Sequence, residues 1–216
     1  TVATMVNRAF GATATASLSG YEDVAPTDWY YEELAKAVQM GTFQGDNGAL
    51  QPNQPITREQ AFAVLARAFV LEAEDTDALN TFPDKGEVSS WAANAVAALV
   101  ENGYVTGSNG KLNPKSQITR AEFATIAVRF FDLSYQGEDL FPDIDGHWAQ
   151  DYINQAADAG IIEGYPDGTF GPQKQITRAE AVTMVNRTLD RHPDPDHFLK
   201  DMLVWPDNLD TEAWYY

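Results

Sequence analysis

Gly160-Ile161-Ile162-Glu163-Gly164-Tyr165-Pro166-Asp167-Gly168-Thr169-Phe170-Gly171-Pro172, followed by Ile176-Thr177-Arg178-Ala179-Glu180, decides the reading of this chain, because its pattern occurs three times. Trp148 stands upstream of it, and Trp29 and Trp91 hold the same place in two earlier copies. Each tryptophan precedes one glycine by twelve residues (Gly41, Gly103, Gly160) and another by sixteen (Gly45, Gly107, Gly164). A turn glycine, an apolar residue and a proline follow, at Gly48, Leu50 and Pro52, at Gly110, Leu112 and Pro114, and at Gly168, Phe170 and Pro172. Every copy then reads Ile-Thr-Arg, from Ile56, Ile118 and Ile176, with another arginine nine residues on at Arg67, Arg129 and Arg187. The third copy is longer by one residue, in the turn around Tyr165-Pro166-Asp167. A repeat of this period is one supersecondary unit, and such a unit needs its neighbours to bury its apolar face.

Each unit reads as helix, tight loop, helix. The first helix starts near the tryptophan and carries Leu34, Ala37 and Val38, or Val96, Leu99 and Val100, on one face. Gly41, Gly103 and Gly160 fall where the chain leaves that helix with positive φ. Asp46-Asn47-Gly48, Ser108-Asn109-Gly110 and Pro166-Asp167-Gly168 are turn tripeptides in which Asn and Gly tolerate left-handed φ. Thr57, Thr119 and Thr177 are predicted N-caps, and Gln60, Glu122 and Glu180 stand three residues on to complete capping boxes. Ala61, Val64, Leu65 and Ala68 set an apolar stripe on the second helix, matched by Phe123, Ile126, Ala127 and Phe130.

Composition narrows the function. The 216 residues hold 14 Lys+Arg against 32 Asp+Glu, a formal charge of −18, with 44% hydrophobic and 12% aromatic residues. That is too apolar for a disordered acidic tail. The absence of cysteine removes disulfides, thiolate metal sites and thiol nucleophiles. No apolar run of about 18 residues occurs, so no membrane insertion is expected. A strongly negative chain repels polyanions, which argues against nucleic acid as a partner. Lacking the pattern of a signal peptide, the chain is expected to be part of a longer exported protein.

The predicted organisation is a closing helix of a preceding partial repeat and a linker over 1–20, then repeats over 21–70, 82–131 and 141–190. Acidic linkers fill 71–81 and 132–140, and 191–216 holds a linker and the start of a further partial repeat. The ends carry that last expectation. Met5-Val6-Asn7-Arg8 repeats Met184-Val185-Asn186-Arg187, while Trp205-Pro206-Asp207 and Trp214-Tyr215-Tyr216 echo Phe82-Pro83-Asp84 and Trp29-Tyr30-Tyr31.

The order aromatic-x-Asp, Trp, Gly-Ile-Ile-x-Gly-Tyr-Pro-Asp-Gly-Thr-Phe-x-Pro and Ile-Thr-Arg-Ala-Glu resembles the S-layer homology (SLH) family. The third unit carries it almost intact, from Phe141-Pro142-Asp143 to Glu180; the second keeps Trp91-Ala92 and Thr119-Arg120-Ala121-Glu122. The first departs most, with Tyr21-Glu22-Asp23 and Thr57-Arg58-Glu59-Gln60. The resemblance implies a mainly α fold in which three helix-loop-helix repeats form a pseudo-threefold, three-pronged spindle around a central helical bundle, with the first helices at the centre. It also implies a non-catalytic, extracellular anchor on the bacterial cell surface, its partner a secondary cell-wall polysaccharide or peptidoglycan-linked polymer, often pyruvylated. The implied grooves lie between neighbouring units. They are lined by Arg58, Arg120 and Arg178 and by the Trp loops Asp28-Trp29, Ser90-Trp91 and His147-Trp148, no two of which are alike. The alternative is a self-assembling S-layer, sheath or fibre protein built by self-association of such repeats.

The residues themselves support anion binding. Arg58, Arg120 and Arg178 open helices, where unpaired N–H groups and the positive end of the dipole favour an anion, and a guanidinium adds a fork that fits a carboxylate. The competing expectation pairs each arginine with Asp23, Asp84 or Asp143, to fix the fold. Arg67, Arg129 and Arg187, half a turn round the helix, are read as structural, and Trp29, Trp91 and Trp148 as buried or half-buried aromatics. Cofactors and metals are expected to be absent. Asp143-Ile144-Asp145-Gly146 opens like a calcium loop, but its twelfth position is Asn154 rather than Glu. His192, His197, Asp194 and Asp196 read as a solvated linker, and no enzyme motif is present.

Overall fold

A computed structural model describes residues 15–45, 48–131 and 133–190. Met5–Arg8, Asp46-Asn47 of the first turn tripeptide, the His192–His197 stretch and the echoes at Trp205 and Trp214 lie outside the described residues. Among the described residues, six α-helices form two per unit: α1 (Tyr31–Gln39) and α2 (Arg58–Ala68), α3 (Ala93–Glu101) and α4 (Arg120–Val128), α5 (Gln150–Asp158) and α6 (Arg178–Asp190). Short 3₁₀ turns span Asp77–Thr81 and Lys85–Glu87. Among the described residues there are isolated β-bridges but no strands.

Local chemistry starts and stops these helices as the repeats indicate. Thr57 and Thr119 each accept the N–H three residues on, and Gln60 and Glu122 return the bond to the cap's own N–H. Thr177 and Glu180 do the same. At the other end of the first helices, Gly41, Gly103 and Gly160 adopt φ of 69°, 74° and 65°. A left-handed residue there lets the next N–H groups turn back to carbonyls of the last helical turn, as Gly41 does to Val38 and Thr42 to Ala37. The second repeat glycine has a different cause. A Cβ on Gly45, Gly107 or Gly164 would strike the ring of Tyr21, Phe82 or Phe141, so the aromatic-x-Asp element and this glycine recur together because one lies on the other.

The units interlock in a cycle. The second helix of each unit packs against the first helix of the next, α2 on α3 and α4 on α5, and α6 returns to α1. The three Ile-Thr-Arg segments meet as a closed ring of backbone hydrogen bonds. Ile118 donates to Ile56, Ile176 to Ile118 and Ile56 to Ile176, each at 3.1 Å. The three side chains are fully buried, with Leu50, Leu112 and Phe170 beside them in one core.

Two expectations need correction. The resemblance implied first helices at the centre, but the second helices hold that place. Helix α6 touches both α2 and α4, and α2 buries nine of its eleven residues, Ala63 and Ala66 among them. Helices α2 and α4 are enclosed on several sides, α4 burying eight of its nine residues, whereas α1 keeps Glu32 on an exposed face and α5 keeps Asp151 and Asp158 outside. The predicted apolar stripe on α2 was therefore too narrow. The acidic linker over 71–81 is itself packed, since Ala73 and Leu79 are buried and its 3₁₀ turn lies on α3.

Candidate functional site

The motif arginines join one unit to the next. Arg58 Nε donates to the Leu112 carbonyl at 2.7 Å, Arg120 Nε to Phe170 at 2.9 Å and Arg178 Nε to Leu50 at 2.8 Å. The same three residues are gripped from their other side. The carboxylate of Asp84 accepts the N–H groups of Leu112 and Asn113, that of Asp143 those of Phe170 and Gly171, and that of Asp23 those of Leu50 and Gln51. The repeat aspartates thus staple their own unit's loop, and the expected ion pairs from these acids to the motif arginines give way to this arrangement. The arginine partners are instead Glu122, 2.6 Å from Arg58, and Glu180, 2.8 Å from Arg120. Each glutamate uses one carboxylate oxygen for its own helix cap and the other for the arginine of the preceding unit. The first unit has Gln60 at this position.

The helix N-termini do not offer open N–H groups. Arg58 and Glu59 donate their N–H to Ser116 and Pro114, Arg120 and Ala121 to Lys174 and Pro172, and Arg178 and Ala179 to Gln54 and Pro52. The part of the anion argument that rested on unpaired N–H groups is overturned, because loops of the next unit satisfy them. Arg58 and Arg120 are also 5% and 3% exposed, while Arg178 is half-buried.

The tryptophans correct the reading in the other direction. Trp29, Trp91 and Trp148 are 66%, 53% and 60% exposed, so they are surface aromatics and not core. Two of them wall grooves to which all three units contribute. The first groove, of about 380 Å³, takes Arg58 from unit 1, the Tyr104–Ser108 loop with Glu122 and Arg129 from unit 2, and Trp148 from unit 3. The second, of about 440 Å³, takes Arg178 from unit 3, Phe43, Gln60 and Arg67 from unit 1, and Trp91 from unit 2. Both volumes lie in the range of small-ligand clefts. Arg67 and Arg129, read from the sequence as structural, line these grooves. Arg129 also donates to the Tyr104 carbonyl and lies over the Tyr152 ring.

Arg120 meets a different environment. Its guanidinium lies 4.5 Å from the Tyr165 ring centre and 4.7 Å from that of Phe170, and it donates to the Glu163 carbonyl. The Tyr165 hydroxyl donates to Glu180, and the Lys174 ammonium lies over the same ring, 3.9 Å from its centre. Burial raises the Tyr165 pKa, with Glu180 acting in the same sense and Arg120 opposing it. The longer third turn therefore places a neutral phenol over this arginine.

The other candidates in the Trp loops have local duties. Asp28 accepts the Ala25 N–H at 2.8 Å and closes its own turn. Ser90 is exposed beside Trp91. His147 Nδ1 accepts the Ala149 N–H, its Nε2 lies 2.7 Å from Gln173, and its ring leans on Trp148. Sequence reasoning missed Glu59, which is 4% exposed. It accepts from the N–H and hydroxyl of Ser89 and pairs with Lys115 at 2.5 Å, tying α2 to the loop that carries Trp91. The signal was a departure from the repeat, a Glu where the other units have Ala121 and Ala179. Among the described residues, no three His, Asp or Glu side chains converge as metal ligands, and no helix is long and apolar enough to cross a membrane.

Comparison with known proteins meets this geometry unit by unit. The chain is 40% identical over 157 residues to a cellulosome-anchoring protein of Acetivibrio thermocellus, covering 68% of this chain and 34% of that protein. It is 36% identical over 130 residues to a surface-layer 125 kDa protein of Lysinibacillus sphaericus, covering 58% and 10%. An amylopullulanase of Thermoanaerobacterium thermosulfurigenes is 30% identical over 149 residues, covering 65% and 8%. The match thus spans about a third of the first relative and a tenth or less of the other two. The model of the S-layer homology domain matches residues 20–62, 81–124 and 140–182, which hold all three motif arginines, tryptophans and staple aspartates. With three matched copies over more than half its length, this chain belongs to the S-layer homology domain family.

Proposed function

We propose that this chain is a non-catalytic anchoring module that holds a larger protein to the bacterial cell surface by binding an anionic, pyruvylated secondary cell-wall polysaccharide in its inter-unit grooves. The observation that carries the reading is the composition of the two grooves, where two guanidinium groups from different units face an exposed tryptophan from a third. A pyruvyl ketal presents a carboxylate to the guanidinium fork, and a sugar ring presents an apolar face to the indole. Arg58, Arg120, Arg178, Asp28, Trp29, Ser90, Trp91, His147 and Trp148 frame the three junctions. The names of the relatives fit attachment at the surface, one as an anchoring protein and one as a surface-layer protein. The amylopullulanase matches over 8% of its length, which fits a module that accompanies an enzyme and leaves its chemistry to other segments.

The test is a pull-down on purified cell-wall sacculi, with and without chemical removal of the secondary polymer. Retention on intact sacculi and loss on stripped ones is the expected result. Equal retention on both would overturn it.

A further inference from the structure

The second unit holds two Asn-Gly pairs, Asn102-Gly103 and Asn109-Gly110. An asparagine followed by glycine is prone to react with its own backbone, because the glycine nitrogen reaches the side-chain amide carbon and no Cβ stands in the way. Both asparagines are exposed, and a Cβ on either glycine would meet nothing within 4 Å. Space therefore does not separate the two pairs. Hydrogen bonding does. Asn102 caps the C-terminus of α3. Its side-chain amide donates to the Ala98 carbonyl at 2.7 Å, and the Gly103 N–H donates to Val100 at 3.0 Å. Both reacting groups are thus engaged. Asn109 sits instead at the tip of a two-residue hairpin, with φ of 50° there and 73° at Gly110, the left-handed pair that an Asn-Gly turn adopts. Among the described residues nothing accepts the Gly110 N–H and nothing bonds the Asn109 amide. The hairpin is held by Ser108 and Lys111, which exchange backbone bonds of 2.8 and 3.0 Å as an isolated bridge with no strand behind it. So short a ladder opens at little cost, which frees the Asn109 backbone to turn its amide carbon towards the nitrogen.

We infer that Asn109 is a self-modification site, at which the folded chain converts an amide to a carboxylate beside the first groove. The Gly110 nitrogen gives up its proton and bonds to Cγ of Asn109. The Cγ–Nδ2 bond breaks, and ammonia leaves with that proton. Water then opens the resulting succinimide ring at one of its two carbonyls, giving aspartate or the isomer whose main chain runs through the side-chain carbon. Water is the sole co-reactant, and nothing is oxidised or reduced. The new negative charge stands next to Ser108, which lines the groove together with Gly107. At Asn102 the same reaction is held back by the two hydrogen bonds. This inference is independent of what the groove binds.

The experiment is peptide mapping by mass spectrometry after timed incubation of the full chain at mildly alkaline pH, once in buffer and once in enough guanidinium chloride to unfold it. Trypsin releases Gly86–Lys111, which carries both asparagines, so fragment ions read their conversion within one peptide. In buffer, Asn109 is expected to convert about tenfold or more faster than Asn102, the scale of the two hydrogen bonds that Asn102 must give up. In denaturant the ratio should fall to near one, because both pairs are then equally free. Equal rates in buffer, or a faster Asn102, would overturn the inference. So would the same ratio in buffer and denaturant, which would trace the difference to neighbouring residues instead of the fold. An Asn109 that survives in buffer and converts only in denaturant would show that the hairpin protects it, and the inference would fall.

Discussion

Arg120 shows what the motif arginine does before any ligand arrives. It is almost wholly buried, with carbonyl acceptors at Phe170 and Glu163, a carboxylate at Glu180 and the rings of Tyr165 and Phe170 against its guanidinium. Truncation leaves Glu180 half-buried without its counter-charge and two carbonyls without donors. We expect Arg120→Ala to cost about 3 kcal/mol of stability, within the range for breaking a buried pair. Adding Glu180→Gln should return part of that loss, since an amide tolerates the vacated site better than a carboxylate. A urea-denaturation double-mutant cycle measures both. A loss below about 0.5 kcal/mol, typical of neutral surface changes, would contradict the tie. Arg178 is half-buried, so its truncation should cost less stability and more binding. Three arginines at one motif position thus divide their duties by neighbourhood, which the motif alone does not express.

At the scale of the element, each loop is closed by an aspartate that accepts two consecutive N–H groups. Asp84 illustrates the balance. Burial pushes its pKa up, the N–H groups of Leu112 and Asn113 pull it down, and the net shift is below the usual carboxylate value. Asp139 and Asp167 are lowered as well, the first by the amides of Asn154 and Gln150 and the second by the hydroxyl and N–H of Thr169. A folded-state pKa below the unfolded value of about 3.9 gives stability that is complete well above that value. It disappears as pH falls through the folded value. We therefore expect the urea midpoint to hold down to about pH 5 and to drop between about pH 5 and pH 3. Asp84→Asn should lower the midpoint at neutral pH and flatten part of the acid drop. An acid profile identical to that of the unaltered protein would mean that the staple contributes nothing.

For the whole molecule, the cycle of contacts matters more than any single unit. In an open array each repeat touches only its neighbours, and unfolding can proceed from an end. Here α6 returns to α1 and the ring through Ile56, Ile118 and Ile176 closes, so no described unit is terminal. Opening one junction exposes the core of two units. We expect one cooperative unfolding transition, with fluorescence of single-Trp variants retaining Trp29, Trp91 or Trp148 giving a common midpoint that matches the helical signal. Separate midpoints would show units that fold alone. The three-pronged outline implied by the family resemblance is proposed on this frame.

Much of this was determined by the sequence itself. The number of units, the helix pairs, the capping boxes at Thr57, Thr119 and Thr177 and the turns at Gly41, Gly103 and Gly160 are local matters, settled by residues within four positions of one another. The motif arginines could be singled out for the same reason, since they recur at a fixed place. The rest depended on contacts across more than fifty positions. Only the tertiary structure decided that Glu122 and Glu180 serve the preceding unit's arginine, and that the helix N–H groups are taken by the next unit's loop. It also decided that the second helices lie at the centre and that the tryptophans stand exposed, Trp91 and Trp148 on the groove walls. Spacing along a chain sets which face a side chain occupies. Which neighbour covers that face depends on how the units close on one another, and here they close in a ring.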